Sequence, residues 1–252
     1  MAACVLGGLC SLQAAFGQEQ GWRERGFIQA LELFDKAKTP DDYRAVAALL
    51  ESLLAQGYEN GAVYFNLGNA YMRAGEYGQA LAAYRKAKLY RPRDQNLEAN
   101  LKQALASAPG RLAEGLVPWW KHVLFWSTLL SYPEKMAACC GVFCLGALLA
   151  AGALWRRSRR LYHFSLAAVL IACLLGAEAA LAWYEINCVH HAVVIKEVVA
   201  RKGMGAKYEP AFDQPLKDGA EFSIIDRSGD WVFGHFEGIG DGWLHRDAVV
   251  ER

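Results

Sequence analysis

The sequence predicts a multidomain membrane protein made of an all-α helical repeat, a transmembrane α-hairpin and a C-terminal all-β barrel. Three observations carry that reading. Residues 61–94 set small and apolar residues at the intervals of two short antiparallel helices. Two long uncharged runs flank "RRSRR" at 156–160, and beyond residue 190 short β-rich runs alternate with Gly and Asp turns. The chain has 252 residues and a formal net charge of +1, a balance that excludes a global attraction to nucleic acid.

The chain opens on "MAACVLGGLCSLQAAFGQEQ", an apolar core too short for a comfortable span, followed by small residues at Ala15 and Gly17 and then a polar stretch. Residues 1–17 are expected to be a secretory signal, cut after about Gly17 or retained as an anchor, although a basic start is missing. A lipoprotein reading through Cys10 is weaker, because Leu9 is bulky where a small residue is wanted.

Residues 18–110 are expected to form the helical domain. In "GAVYFNLGNAYMRAGEYGQALAAYRKAKLYRPRD", residues 61–94, Gly68 and Ala80 let two helices approach, Tyr64, Leu67 and Tyr84 fill the seam, and Pro92 stops the second helix. With Tyr71 and Ala87, these positions resemble the tetratricopeptide repeat (TPR), whose period is about 34 residues. The preceding unit, from Phe27, keeps the length but few signature residues, with Thr39 as N-cap and Pro40 at the first helical position. "DQNLEANLKQALASA" supplies an amphipathic capping helix. The resemblance implies a concave groove on the first helix of the unit, lined by Phe65, Asn69, Met72 and Arg73 with Asn66 beside them. Asn and Arg suit peptide backbone and carboxylates; the competing reading is a plain solvated helix face.

Residues 111–135 include "GLVPWWKHVLFWSTLLSYPEK", dense in aromatics and too short for a third span, and are expected to lie in the membrane interface before Pro133 turns the chain inward. From Met136 to Trp155 there is no charge, and as a helix this run is about 30 Å long, enough to cross the hydrocarbon layer. A second run, from Leu161 to Tyr184, is interrupted by Glu178. Residues 136–184 therefore read as a membrane hairpin around the loop 156–160. Arg156, Arg157, Arg159 and Arg160 set its orientation, since basic residues in short loops stay on the cytoplasmic side, and the same cluster suits anionic membrane lipid. Both flanks then lie on the outer, periplasmic face. Glu178 is an intramembrane acid, costly unless protonated, paired or turned toward another helix; snorkelling or helix pairing accounts for it better than proton transfer. The "ACCGVFC" cysteines are read as close helix packing rather than as metal ligands.

Residues 190–252 read as a small β-barrel. "LKDGAEFSIIDRSGDWVFGHFEGIGDGWLHRDAV", residues 216–249, resembles a bacterial SH3-like domain through Gly219, Gly229-Asp230-Trp231 and Gly242-Trp243-Leu244. The stretch before it departs from that family's short Ser/Gly-rich loop. Trp231, Phe233 and Trp243 are the candidate surface aromatics, set against a packing role that weighs most on Trp243. No nucleophile with a His and an acid at plausible spacing is present, so no catalytic residue and no cofactor are assigned. Cys188, His190 and His191 fall on an extended stretch where neighbours alternate direction, and no metal site is assigned to them.

The order of modules resembles BatE-like membrane proteins of the Bacteroides aerotolerance (Bat) family, over residues 18–250. That resemblance implies partnership with other membrane proteins of a Bat-type complex, in stress tolerance or envelope assembly, at the bacterial inner membrane. The expected function is a non-catalytic membrane scaffold for protein–protein interaction. The alternative is a receptor whose SH3-like domain binds peptidoglycan.

Overall fold

The computed structural model describes residue 21, residues 23–112 and residues 130–251. The expected signal segment 1–17 and most of the aromatic segment, residues 113–129, lie outside the described residues.

Five helices form the N-terminal layer: α1 (23–36), α2 (Pro40–Ala55), α3 (Gly61–Ala74), α4 (Tyr77–Tyr90) and α5 (Gln95–Ser107). Their boundaries follow from local chemistry. Thr39 caps α2 through a reciprocal box: its Oγ1 accepts the Asp42 N–H at 3.2 Å and Asp42 Oδ2 accepts the Thr39 N–H at 2.9 Å, with Pro40 next in line. Asn60 caps α3 by accepting the Ala62 and Val63 N–H groups, both at 2.9 Å. Gly75, at φ +80°, ends α3 in the left-handed conformation that favours glycine. Asp94 caps α5 through Asn96 and Leu97.

The helical core is built from Leu50, Val63, Leu81, Tyr84 and Leu97, each essentially inaccessible to solvent. Gly68 is required by close approach, since a Cβ there would lie 2.5 Å from the Tyr84 ring.

Two long helices follow, α6 (Tyr132–Arg156) and α7 (Arg159–Asn187), packed antiparallel along most of their length. Each is long and apolar enough to cross a membrane. Only 11% and 22% of their most apolar stretches are buried, whereas the core helix of a soluble domain would be mostly covered. Leu148, Leu154, Leu170 and Leu181 face outward. The seam between the helices is made of small residues: Gly146, Ala153, Ala168, Ala172 and Ala179 are buried, and the Ser165 hydroxyl donates to the Gly146 carbonyl at 3.0 Å. The helices run beyond the uncharged stretches because backbone hydrogen bonding continues into the polar flanks, leaving a turn at Arg157 and Ser158 with Arg157 at φ +46°.

The C-terminal layer is one five-stranded antiparallel sheet in the order β4-β3-β2-β1-β5, comprising β1 (His190–Val194), β2 (Glu221–Ser228), β3 (Trp231–Phe236), β4 (Gly240–His245) and β5 (Val249–Glu251). A 3-10 turn, Arg246–Ala248, joins the last two strands. Gly229, at φ +57°, makes the β2–β3 hairpin turn that the sequence signalled. The expected barrel is not closed. β4 and β5 form the two ends of the sheet; β5 pairs with β1 over only three residues, and the outer side of β4 receives the single bridge Arg201–Trp243 from the long β1–β2 connection.

The sheet is packed on the repeat. α4 contacts both β1 and β5, and Val193 and Val250 join the helical core. A second core, centred on Phe222, Val232, Phe236 and Leu244, lies within the sheet domain.

Candidate interaction site

α4, the second helix of the α3–α4 pair, starts without a cap of its own. Glu76 stands at the α4 N-cap and makes no side-chain capping bond. The missing acceptor comes from far along the chain: Asp218 takes the Tyr77 N–H on Oδ2 at 3.1 Å and the Gly78 N–H on Oδ1 at 3.0 Å. Its backbone carbonyl also accepts the Gly110 N–H at 2.8 Å, just past α5. Burial raises the Asp218 carboxyl above the usual 3.8, against the lowering pull of the Gly78 and Tyr77 N–H groups. Two turns further along α4, Arg85 forms a bidentate pair with Glu221, Nε to Oε1 at 3.0 Å and Nη2 to Oε2 at 2.8 Å. Helical repeat and sheet are thus one packed body, with α4 as the shared element.

The predicted groove residues lie on one face of α3, but their side chains do different things. Asn69 is engaged inside the fold: its Oδ1 accepts both the Tyr84 hydroxyl and the Asn100 amide, each at 2.8 Å, tying α3 to α4 and α5. Asn66 donates to the Ala62 carbonyl one turn back, at 2.9 Å. Phe65 lies 6.2 Å from the Tyr84 ring and carries the Arg91 guanidinium 5.5 Å from its centroid. Met72 packs against the helical core. Arg73 is exposed in the last turn of α3. Arg73 and the open parts of Phe65 and Asn66 are therefore what this face offers a partner.

A groove of about 400 Å³ opens where α2, α3 and α4 meet β5. Its lining includes the buried Leu67 and Tyr71 and the more open Lys86 and Glu251. The Tyr71 hydroxyl donates to Glu51, and burial, followed by that carboxylate, holds its pKa well above the usual value. Sequence reasoning did not find this groove, nor Asp218 or the Arg85–Glu221 pair. The one local signal was the poor capping residue before α4.

On the sheet, Trp231, Phe233 and Trp243 are half-buried and share one face of β3 and β4, because the intervening Val232, Gly234, Gly242 and Leu244 point into the core. Phe233 and Trp243 are cross-strand neighbours with ring centroids 5.0 Å apart, and Trp231 meets His245 edge-on at 5.5 Å. His235 contacts Asp241 on the next pair of that face. His191 reaches the Ser223 hydroxyl at 3.2 Å, and His190 lies against the Cys188 carbonyl at 3.3 Å. No group of three His, Cys, Asp or Glu is placed to hold a metal among the described residues.

Arg156, Arg157, Arg159 and Arg160 are all exposed at the closed end of the hairpin. Glu178 is half-buried on α7, next to the buried Ala179 of the helix seam.

A tetratricopeptide repeat family model matches residues 61–94, which hold α3, α4 and the turn to the α5 cap. A comparison with curated proteins found no match. The repeat points to a role in protein–protein interaction, and such repeats are non-catalytic modules.

Proposed function

We propose that this protein is a membrane-anchored scaffold that presents its helical repeat and its C-terminal domain, read as SH3-like, together on the outer face of the bacterial inner membrane. The observation that carries the proposal is the junction at α4, where Asp218 caps the helix and Arg85 grips Glu221. A hairpin of two spans returns the chain to the side it left, so repeat and sheet meet on one side without crossing the membrane. Exposed arginines at the hairpin's closed end favour a cytoplasmic loop and a periplasmic scaffold. The module order favours partners among the membrane proteins of a Bat-type envelope complex.

A photo-crosslinking residue at Arg73 tests this reading in membranes from producing cells. Discrete protein adducts from position 73, absent when the same residue replaces Arg159, are the expected outcome. Identical adduct patterns from both positions contradict the proposal.

The aromatic strip of Trp231, Phe233 and Trp243 supports a second reading, in which the sheet binds peptidoglycan by stacking on sugar rings. Cosedimentation of the detergent-solubilised chain with purified cell wall, abolished by Trp231→Ala, would support it. A chain that stays in the supernatant removes it.

A further inference from the structure

The turn between α4 and α5 stands beside the first turn of α6. Arg93 makes an ion pair with Glu134, and Glu134 in turn accepts the Ser131 N–H at 2.8 Å and the Ser131 hydroxyl at 3.0 Å. Between the two turns lies an open cavity of about 360 Å³, lined by Tyr90, Arg91, Arg93, Asp94, Ser131 and Glu134. Its depth relative to a bilayer follows from the sequence. Glu134 precedes Met136, where the uncharged run begins, by two residues, so the cavity lies about 3 Å outside the hydrocarbon along the α6 axis. That is the headgroup level. Leu89 and Tyr90, both 47% exposed, end α4 at the same turn. An exposed Leu and Tyr between Lys88 and Arg91 suit the membrane–water boundary.

We propose that this cavity binds the headgroup of a zwitterionic aminophospholipid from the membrane that α6 and α7 span; the proposal rests on the membrane reading given above. The charges of the lining decide the class of lipid. Arg91 and Arg93 bring two guanidinium groups, and Asp94 and Glu134 bring two carboxylates, paired as Arg91–Asp94 at 2.6 Å and Arg93–Glu134. A guanidinium has five N–H donors. Each arginine therefore keeps donors for a phosphate after serving its carboxylate. The two carboxylates suit a primary ammonium, which a phosphoethanolamine headgroup carries and a phosphoglycerol headgroup lacks. A purely anionic headgroup gains two arginines and meets two carboxylates, so it has no net attraction here. A choline headgroup offers no N–H to the carboxylates.

The test uses the full chain in nanodiscs of phosphatidylcholine mixed with either phosphatidylethanolamine or phosphatidylglycerol, followed by native mass spectrometry of the lipid retained after detergent stripping. Phosphatidylethanolamine is expected to be retained preferentially, and the Arg91→Gln/Arg93→Gln chain to retain it roughly tenfold less, as the loss of charge-assisted contacts predicts. Lys102→Gln on α5 is expected to change nothing. Should the glutamine pair unfold α4, as read by amide exchange, the Arg91→Lys/Arg93→Lys chain is used in its place, with an expected loss of roughly threefold because the forked geometry is gone. Undiminished retention in the variant used, or equal retention of phosphatidylglycerol or phosphatidylcholine, overturns the proposal. So does complete displacement of the lipid by millimolar inorganic phosphate, which would mark a free-phosphate site. Alkaline carbonate extraction separates the two layers of inference: release of the chain from membranes defeats the membrane reading, whereas a chain that stays in the membrane without retaining phosphatidylethanolamine defeats the lipid site alone.

Discussion

Asp218 accepts the backbone N–H of Gly78 at 3.0 Å across 140 positions of sequence. A residue of the sheet domain thereby does for α4 what Thr39, Asn60 and Asp94 do locally for α2, α3 and α5. A helix whose cap comes from another domain depends on that domain for its first turn.

Replacement of Asp218 by Ala is expected to leave the Tyr77 and Gly78 N–H groups without their acceptor, at a cost of about 1–2 kcal/mol. Amide exchange should quicken in the first turn of α4, while α2 keeps its protection and Gly110, held by the backbone carbonyl of residue 218, keeps its own. Uniform exchange across α2 and α4 in both chains would show that the contact does not hold the junction.

Gly78→Ala sets two effects against each other. Alanine favours a helix interior by about 1 kcal/mol over glycine. At this position its Cβ would lie 2.4 Å from the Val194 carbonyl oxygen and 2.5 Å from Asp218 Oδ1, and the backbone atom cannot step aside cheaply. Steric conflict wins, so the variant is expected to lose protection at β1 without losing helix content by circular dichroism. A more stable variant with β1 still protected would contradict the packing described.

Two capping carboxylates should titrate on opposite sides of 3.8. The Lys38 and Thr39 N–H groups hold Asp42 below that value, so its contribution to stability is complete above pH 3.8 and is lost as pH falls through its own lower pKa. Burial holds Asp218 above 3.8, so the stability that its protonation adds is present below 3.8 and is lost as pH rises through its raised pKa, while the hydrogen bonds it accepts from Tyr77 and Gly78 persist in the ionised form. Carboxyl-carbon NMR of the chain in detergent is expected to place Asp42 below and Asp218 above 3.8. The reverse order would contradict the assigned environments.

Asn69 and Arg73 share a helix face and should separate by phenotype. Asn69→Ala removes the acceptor of the buried Tyr84 hydroxyl, which burial holds well above its ordinary pKa, and is expected to destabilise the repeat by about 1–3 kcal/mol in denaturant melts. Arg73→Ala is expected to leave the melt unchanged and to weaken partner capture only. Equal destabilisation by both would remove Arg73 as a contact residue.

Local rules made much of this fold legible. The Thr39-Pro40 start acts within one turn, the Gly68 and Tyr84 spacing within one pair of adjacent helices, and the uncharged runs each within a single helix, so chain order alone brings the partners together. Asp218 illustrates what stays hidden, since "LKDGAEF" reads as a turn and nothing within it indicates the N-terminus of α4. The ties of Asn69 stay hidden for a related reason: its position is legible from α3 alone, whereas Asn100 reaches it from α5. The barrel expectation failed at the pairing of strand ends, because alternation defines the faces of β4 and β5 but not which edges meet. Trp231, Phe233 and Trp243 were legible as a set because alternation does fix a shared face.

The central claim is that repeat and sheet stand on one outer side of a membrane, with the arginine turn on the other. Topology reporters fused at positions 110, 158 and 252 test it most directly. A reporter active only in the periplasm is expected to be active at 110 and 252 and silent at 158; activity at 158, or silence at either of the other two, would contradict it.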